Sequence, residues 1–451
     1  MARGSAVALA LVALGAGCHS EREAASPPVL ASGPTGVIRV GLARLPWPLD
    51  PARLEGRDEL TVGRALLATP LRFSPDGSRL RPGLCGRWRS DASGREWRFR
   101  CRHARAIARS LRGLRRQPDS PSRFLVADAV RIAAPTPRTL VVRLRFPWRR
   151  FPWALTSPAT APRGVPGPFR LVSGSRERIV ARRGGSRLVF RRLEPHRAAV
   201  AFRRGALDEA PIPRGDLRAV LADPVLRPAV RARPILAVDV VGLGEGISRS
   251  VRRTLWRTAP RSEYRALVPE NGAPLAFGLL AGRAPSGVVS ASSVRMARAG
   301  IPSLPKTPVT IAVPAEPELR YAAAIVWAHW RELGLPVRLR GQPGGPATAR
   351  FQRLLAAYPH EEALFLAFRF AGGRGEPALL AMLAAPDPDP LIRRLDRRLR
   401  DEALLVPLAR AQDARLVSSR LRGWAHDMLG SVDYASVVLG RPVRKASQAA
   451  T

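Results

Sequence analysis

In Pro82-Gly83-Leu84-Cys85-Gly86-Arg87-Trp88-Arg89-Ser90, then Asp91-Ala92-Ser93-Gly94, then Arg95-Glu96-Trp97-Arg98-Phe99-Arg100-Cys101, apolar and basic residues alternate on either side of a turn-forming tetrad. Alternation at period two with turn residues between the runs predicts a β-hairpin. A fold-back near Ala92 or Ser93 brings Cys85 and Cys101 close. A register pairing Trp88 with Trp97 leaves the two cysteines one residue out of opposition, and a one-residue slip reverses faces. The pair is thus read either as a disulfide, which requires an oxidising compartment, or as two buried free thiols.

Outward from the hairpin, Val37 to Leu42 reads as a strand and Leu60 to Leu67 as a short amphipathic helix. Arg138 to Phe146 alternates as a strand after the turn Ala134-Pro135-Thr136-Pro137. Thr310 to Val313 predicts a strand and Glu318 to Leu333 a helix with Tyr321, Ile325, Trp327 and Ala328 facing inward. Gly334 ends that helix before a strand at Val337 to Leu339. This βαβ unit predicts parallel strands. Strands and helices alternate throughout, so the fold class is α/β, and 451 residues call for two or three domains or lobes.

The third cysteine, Cys18, follows an export signal. Ala2-Arg3 is a short basic start, Ser5 to Leu14 an apolar run, and Gly15-Ala16-Gly17 the small residues before the cysteine. Residues 1–18 are read as a lipoprotein signal with Cys18 as the lipidated residue. Gly15 stands where such signals usually carry a branched apolar residue, so an ordinary cleaved signal is the alternative. Residues 19–36, rich in Ala, Ser, Pro and Glu, form a tether, and 441–451 a tail. No later stretch reaches the roughly 18 apolar residues of a membrane span.

The formal charge is +40, from 75 basic and 35 acidic residues, and Lys306 and Lys445 are the only lysines. The other 73 basic residues are arginines spread through every segment, as a GC-rich coding bias produces, not gathered into a nucleic-acid stripe. A solvated basic surface is the plain reading, and attraction to anionic lipid, cell-wall polymer or an acidic ligand is the other.

Motifs of catalysis are missing: no Gly-x-Ser-x-Gly elbow, Walker loop or His-Glu-x-x-His occurs. The six histidines are far apart in sequence. Gly242-Leu243-Gly244-Glu245-Gly246 lacks the third glycine of a dinucleotide loop, which would fall on Ile247, and is read as a hinge-side loop. Glu361-Glu362 is not read as a catalytic pair. Neither an enzyme, a cofactor nor a metal is expected.

The hairpin block Pro82-Gly83-Leu84 through Trp88, with Gly94 and Trp97-Arg98-Phe99-Arg100, resembles the signature of the extracellular solute-binding proteins of family 5, the peptide and nickel receptors of ABC importers. Further blocks resemble that family in the same order: Leu49-Asp50-Pro51, Pro121-Ser122, Ala134-Pro135 through Leu144, Pro166-Gly167-Pro168-Phe169, Arg204-Gly205-Ala206-Leu207-Asp208, Val251 through Leu255, Trp330 through Leu335, and Leu404 through Leu408. The resemblance implies a bilobed periplasmic-binding-protein fold of type II with an appended small domain. Residues 37–71, 162–241 and 412–440 would form lobe I, 72–161 the appended domain, and 242–411 lobe II. It also implies a monomeric, lipid-anchored receptor in the cell envelope or periplasm that holds a peptide-like or other small solute in an interlobe cleft. Its partners would be that ligand and an ABC permease and ATPase complex, with no nucleic acid. The alternative is a degenerate member of the same fold, a non-transport envelope lipoprotein that binds a protein or anionic polymer.

The chain departs from the family where peptide receptors place an acid that neutralises the ligand's α-ammonium. Here the apolar stretch Leu364 to Phe370, read as a strand, lacks that acid and carries Arg369 at an expected aromatic position. Phe368, Arg369, Phe370 and Trp47 are the candidate ligand contacts. Arg369 would face a ligand carboxylate, for which its fork is suited, or else solvent; Trp47 would floor the cleft or pack. Trp256 and Trp424 are read as core.

Overall fold

The computed structural model describes residues 36–440 apart from 55, 213–215, 245, 268–273, 282–307, 315–316, 342–346 and 371–375. The signal, Cys18, nearly all of the tether, and the tail lie outside the described residues. No described helix is long and apolar enough to cross a membrane.

The hairpin forms as the alternation requires. Strands β1 (Val37–Leu42), β2 (Leu71–Phe73), β3 (Leu80–Pro82), β4 (Cys85–Ser90) and β5 (Glu96–Cys101) follow in order. In the β4–β5 pair Trp88 faces Phe99 and Ser90 faces Trp97, not Trp88 against Trp97. A bulge at Gly86 then absorbs one residue, so that Cys85 meets Cys101 directly and the two are joined as a disulfide. The bulge returns Cys85 to the inner face occupied by Trp97 and Phe99, which an unbroken period of two would have denied it. At the turn, Asp91 Oδ1 accepts from the amides of Arg95 and Glu96, both at 3.0 Å, while Gly94 supplies the left-handed backbone (φ 69°). Strands β6 (Ala129–Thr136) and β7 (Thr139–Leu144) complete a four-stranded sheet in the order β4-β5-β7-β6. Helix Ala104–Arg116 covers it with Ile107, Ala108, Leu111 and Leu114, all buried.

β2 and β3 pair with each other, and β1 joins nine later strands in one ten-stranded mixed sheet. The nine are β8 (Arg170–Gly174), β9 (Arg178–Arg183), β10 (Ser186–Arg192), β11 (Glu209–Pro211), β12 (Val230–Leu243), β13 (Val309–Val313), β14 (Val337–Gly341), β15 (Ala349–Leu355) and β16 (Leu405–Val417). Their order is β14-β13-β15-β12-β16-β11-β1-β10-β9-β8. β1 runs parallel to β10 and β11, and β13 runs parallel to β14 across helix Pro317–Glu332, the expected βαβ unit.

That helix is rotated from the sequence reading. Tyr321 is 57% exposed and Ala328 is also exposed, while Ala322, Ala323, Val326 and Trp330 are buried. Ile325 and Trp327 are half-buried. An aromatic can stand at the edge of an apolar stripe, so the two small alanines, not Tyr321, mark where the helix lies closest to the sheet.

The sheet spans two halves of the molecule, and β12 and β16 are the strands common to both. One end of their ladder pairs Val230–Pro234 with Gln412–Leu416, beside β11; the other pairs Val238–Gly242 with Leu405–Arg410, beside β15. Between Pro234 and Val238 the register slips, and it shifts again between Asp239 and Val240. There the Leu236 amide donates instead to Met428 O (2.6 Å) and its carbonyl accepts from the Ala356 amide (2.9 Å). A stretch whose bonds leave the ladder is where the two halves can bend relative to each other.

Beside the β11 end, Arg415 is fully buried within reach of three carboxylates: Glu209, Asp58 at 3.3 Å and Asp413 at 3.4 Å. Glu209 also accepts from Trp424 Nε1 (2.7 Å) and the Tyr434 hydroxyl (2.8 Å). Asp58 caps the chain after β1 through the Ala43 amide (2.8 Å). Burial alone would push Arg415 down, but the surrounding carboxylates outweigh it and its pKa is raised. Removing one member of such a cluster strands the others, so Arg415→Leu should lower the unfolding free energy by roughly 3–5 kcal/mol in urea titration.

Candidate functional site

The sequence placed candidate contacts on Trp47 and on Phe368, Arg369 and Phe370; the structure does not bring them together. Trp47 sits half-buried in the loop after β1 in a cluster with Ile38, Phe169 and Phe190. Its ring lies so close to Gly174 that a β-carbon there would approach it to 1.9 Å. Residues Glu362–Phe370 form a helix, not the strand read from the sequence. A short apolar run does not distinguish the two by pattern. Here Glu362 in the first turn and Arg369 in the last complement the helix dipole. The strand in this part of the chain is β15, immediately upstream.

Phe368 is buried, and Arg369 pairs with Asp128 at 3.1 Å and is not directed to solvent alone. The Phe370 side chain lies outside the described residues. Trp256 is buried, and Trp424 is half-buried with its ring nitrogen on Glu209. At the glycine run after β12, the Gly244 amide donates to Thr348 O at 2.8 Å. That contact lies at the far end of β12 from the register slip.

What the structure assembles is a seam between the four-stranded sheet's domain and the helices after β15. Trp148 Nε1 donates to Glu362 Oε1 at 3.3 Å, and the Tyr358 hydroxyl donates to the same oxygen at 2.8 Å. Arg150 reaches Glu362 at 3.7 Å and Asp389 at 3.3 Å. Trp153 stands edge-on to His360 with centroids 4.3 Å apart, and Trp148 contacts Phe151 at 5.4 Å. The Arg149 amide donates to Leu383 O at 3.0 Å. These residues belong to one continuous core that also holds Phe99, Phe365 and Met382. Aromatic side chains fill this seam.

The charge in the seam is controlled by burial. Glu362 is 1% exposed; burial raises its pKa, against the donors Tyr358 and Trp148 and the Arg150 charge. Tyr358 is held well above its ordinary value by burial and by Glu362. His360 is pushed down to about 4 by burial and by Arg150. Among the described residues no group of three His, Cys, Asp or Glu side chains could hold a metal ion. The arrangement can neutralise, clamp and exclude water; it offers no nucleophile with an adjacent base.

Sequence reasoning passed over Trp148, Tyr358 and Glu362. The signal for the first was the unusual density of Trp, Phe and Arg in Pro147-Trp148-Arg149-Arg150-Phe151-Pro152-Trp153. Nothing local marked Glu362 as the acid of the pair that goes inside.

No family model matches the sequence, and no curated protein matches it. Solved structures match it closely in shape. The Escherichia coli murein tripeptide binding protein MppA aligns at a TM-score of 0.74 and 16% identity, over 90% of this chain and 98% of that one. Haemophilus influenzae OppA, in complex with the peptide RPPGFSPFR, aligns at 0.72 and 16% over 90% and 99%. Brucella suis NikA, in complex with Fe(III)-EDTA, aligns at 0.67 and 16% over 90% and 100%. MppA in its unliganded open form aligns less well, at 0.64. The chain therefore has the bilobed α/β fold of periplasmic binding proteins.

The seam makes stability pH-dependent in a definite sense. His360 stays neutral in the folded protein down to about pH 4 but takes up its proton near 6.5 once unfolded. Its contribution is full above pH 6.5 and is lost as pH falls toward 4. His360→Phe, which keeps a ring against Trp153, should remove that part of the slope. Relative to the variant, the native protein should lose roughly 2 kcal/mol between pH 7 and 4.5 in urea unfolding.

Proposed function

We propose that this chain is the substrate-binding lipoprotein of an ABC importer in family 5 of the extracellular solute-binding proteins. On this reading it is anchored in a bacterial membrane through a lipid on Cys18 and works as a monomer in the cell envelope. It captures a peptide-like or other small solute between its lobes and delivers it to a permease and ATPase complex. Lobe I comprises 37–71, 162–241 and 412–440, lobe II 242–411, and residues 72–161 are the appended domain. The observation that carries the reading is the loss of regular pairing in the β12–β16 ladder around Leu236, in the two strands common to both halves, a feature that suits hinged capture of a ligand. The Cys85–Cys101 disulfide agrees with an oxidising compartment.

A second reading has its own support. The seam is filled by Trp148, Phe151 and Tyr358, as a fold that has stopped transporting would be, and an arginine-rich surface suits an envelope polymer or a protein partner. Native mass spectrometry of the protein purified from its own envelope, with mild denaturation to release bound molecules, separates the two. The receptor reading predicts a small solute released at one per chain. An empty protein whose melting temperature no peptide pool shifts would overturn it in favour of the envelope role.

A further inference from the structure

The four-stranded sheet turns one face to helix Ala104–Arg116 and leaves the other open. Trp88, Trp97 and Phe99 stand on the helix side with Cys85 and Cys101. Residues of the open face meet from strand to strand in three rows: Arg87–Arg100–Thr139, Arg89–Arg98–Val141–Ala133 and Glu96–Arg143–Arg131. All six arginines are exposed. Glu96 is the one acid in these rows, and it accepts from Arg98 at 2.8 Å. Among the described residues the other five arginines have no carboxylate partner.

Three pairs of arginines therefore stand directly opposite each other: Arg87 with Arg100, Arg89 with Arg98, and Arg131 with Arg143. Like charges in that relation work against the sheet that holds them. An exposed strand position accepts a threonine equally well, so the packing of the sheet calls for arginine at none of the six. An anionic partner laid across the face turns the repulsion into attraction. The arrangement also selects the shape of that partner. β4 and β5 hold two of the arginines each, and β6 and β7 one each, so a linear polymer along a strand or across a row meets two at most. Only a two-dimensional array of anions meets all six. Bases of a single-stranded nucleic acid stack on aromatic side chains, and the aromatics of this sheet face the helix.

We infer that the open face of this sheet is a docking surface for an anionic membrane, with lipid phosphates on the guanidiniums of Arg87, Arg89, Arg98, Arg100, Arg131 and Arg143. Each arginine at such a surface strengthens the partition roughly fivefold, and salt screens the effect. The inference rests on the envelope placement proposed above, not on solute capture. Vesicle binding needs no solute, and release of a bound solute needs no vesicle, so either can fail while the other stands.

Co-sedimentation of the full chain carrying Cys18→Ser, which has no lipid of its own, tests the surface. Vesicles of phosphatidylcholine are compared with vesicles in which about a third of the lipid is phosphatidylglycerol, at roughly 0.1 M salt. The anionic vesicles should bind at least tenfold more tightly. Changing one member of each pair, with Arg89→Glu, Arg100→Glu and Arg131→Glu together, should weaken that binding at least tenfold. Each new glutamate faces an arginine, so the melting temperature should stay level or rise. Arg170→Glu, Arg178→Glu and Arg187→Glu remove the same charge from exposed positions on β8, β9 and β10, again opposite arginines. That variant should lose less than about threefold. Equal losses in the two variants would reduce the effect to net charge, and a lower melting temperature in the first would contradict the repulsion. Binding of long-chain polyphosphate but not of vesicles would assign the face to a linear polymer. Any of these results, or equal binding to both kinds of vesicle, would overturn the inference.

Discussion

The pairing of β12 with β16 is the constraint from which the rest of the architecture follows. Two strands of 14 and 13 residues are longer than either half of the sheet needs, so each serves both halves. Their ladder cannot be regular along its whole length, because its two ends join differently disposed neighbours, β11 on one side and β15 on the other. The slip at Leu236 resolves that conflict, and the backbone groups it frees are taken by Met428 and Ala356. The β11 end is held rigid by the buried Arg415 and its carboxylates. Stiffness next to the irregular stretch from Pro234 to Val240 concentrates bending there.

The seam closes the appended domain onto the helices after β15 through Trp148, Tyr358 and Glu362, and it must part if the lobes are to swing. Its polar bonds are few and its remaining contacts are aromatic faces, so opening exposes apolar surface, and a ligand that replaces those faces compensates for it.

Much of this fold was legible because its signals are local. The alternation around Asp91-Ala92-Ser93-Gly94 gave the hairpin, and Thr310 to Leu339 gave the βαβ unit. The bulge at Gly86 was not legible, since its cause is the sheet that receives Cys85, Trp97 and Phe99 on one face. The surroundings of the candidate contacts were not legible. Leu364 to Phe370 reads as a strand because its apolar run has no clear period, and the surfaces its helix packs on, among them β12 and the turn Arg123–Leu125, lie far off in the chain. Arg369, which the sequence leaves to a ligand carboxylate or to solvent, pairs with Asp128, more than 200 residues earlier. Ion pairs between distant segments leave no trace in either segment alone. With 73 arginines in the chain, which of them find carboxylates is decided by the fold.

The central claim is that the two halves move about Leu236. Single-molecule energy transfer between dyes at Ser93, on the hairpin turn, and Asp387, before helix Asp389–Asp401, measures that movement directly. Both residues are exposed, and neither belongs to the seam. The account predicts two interconverting distances in the ligand-free protein, with the shorter one enriched by the solute that co-purifies. A single distance that neither solute nor mild denaturant shifts would mean a rigid body, and would contradict it.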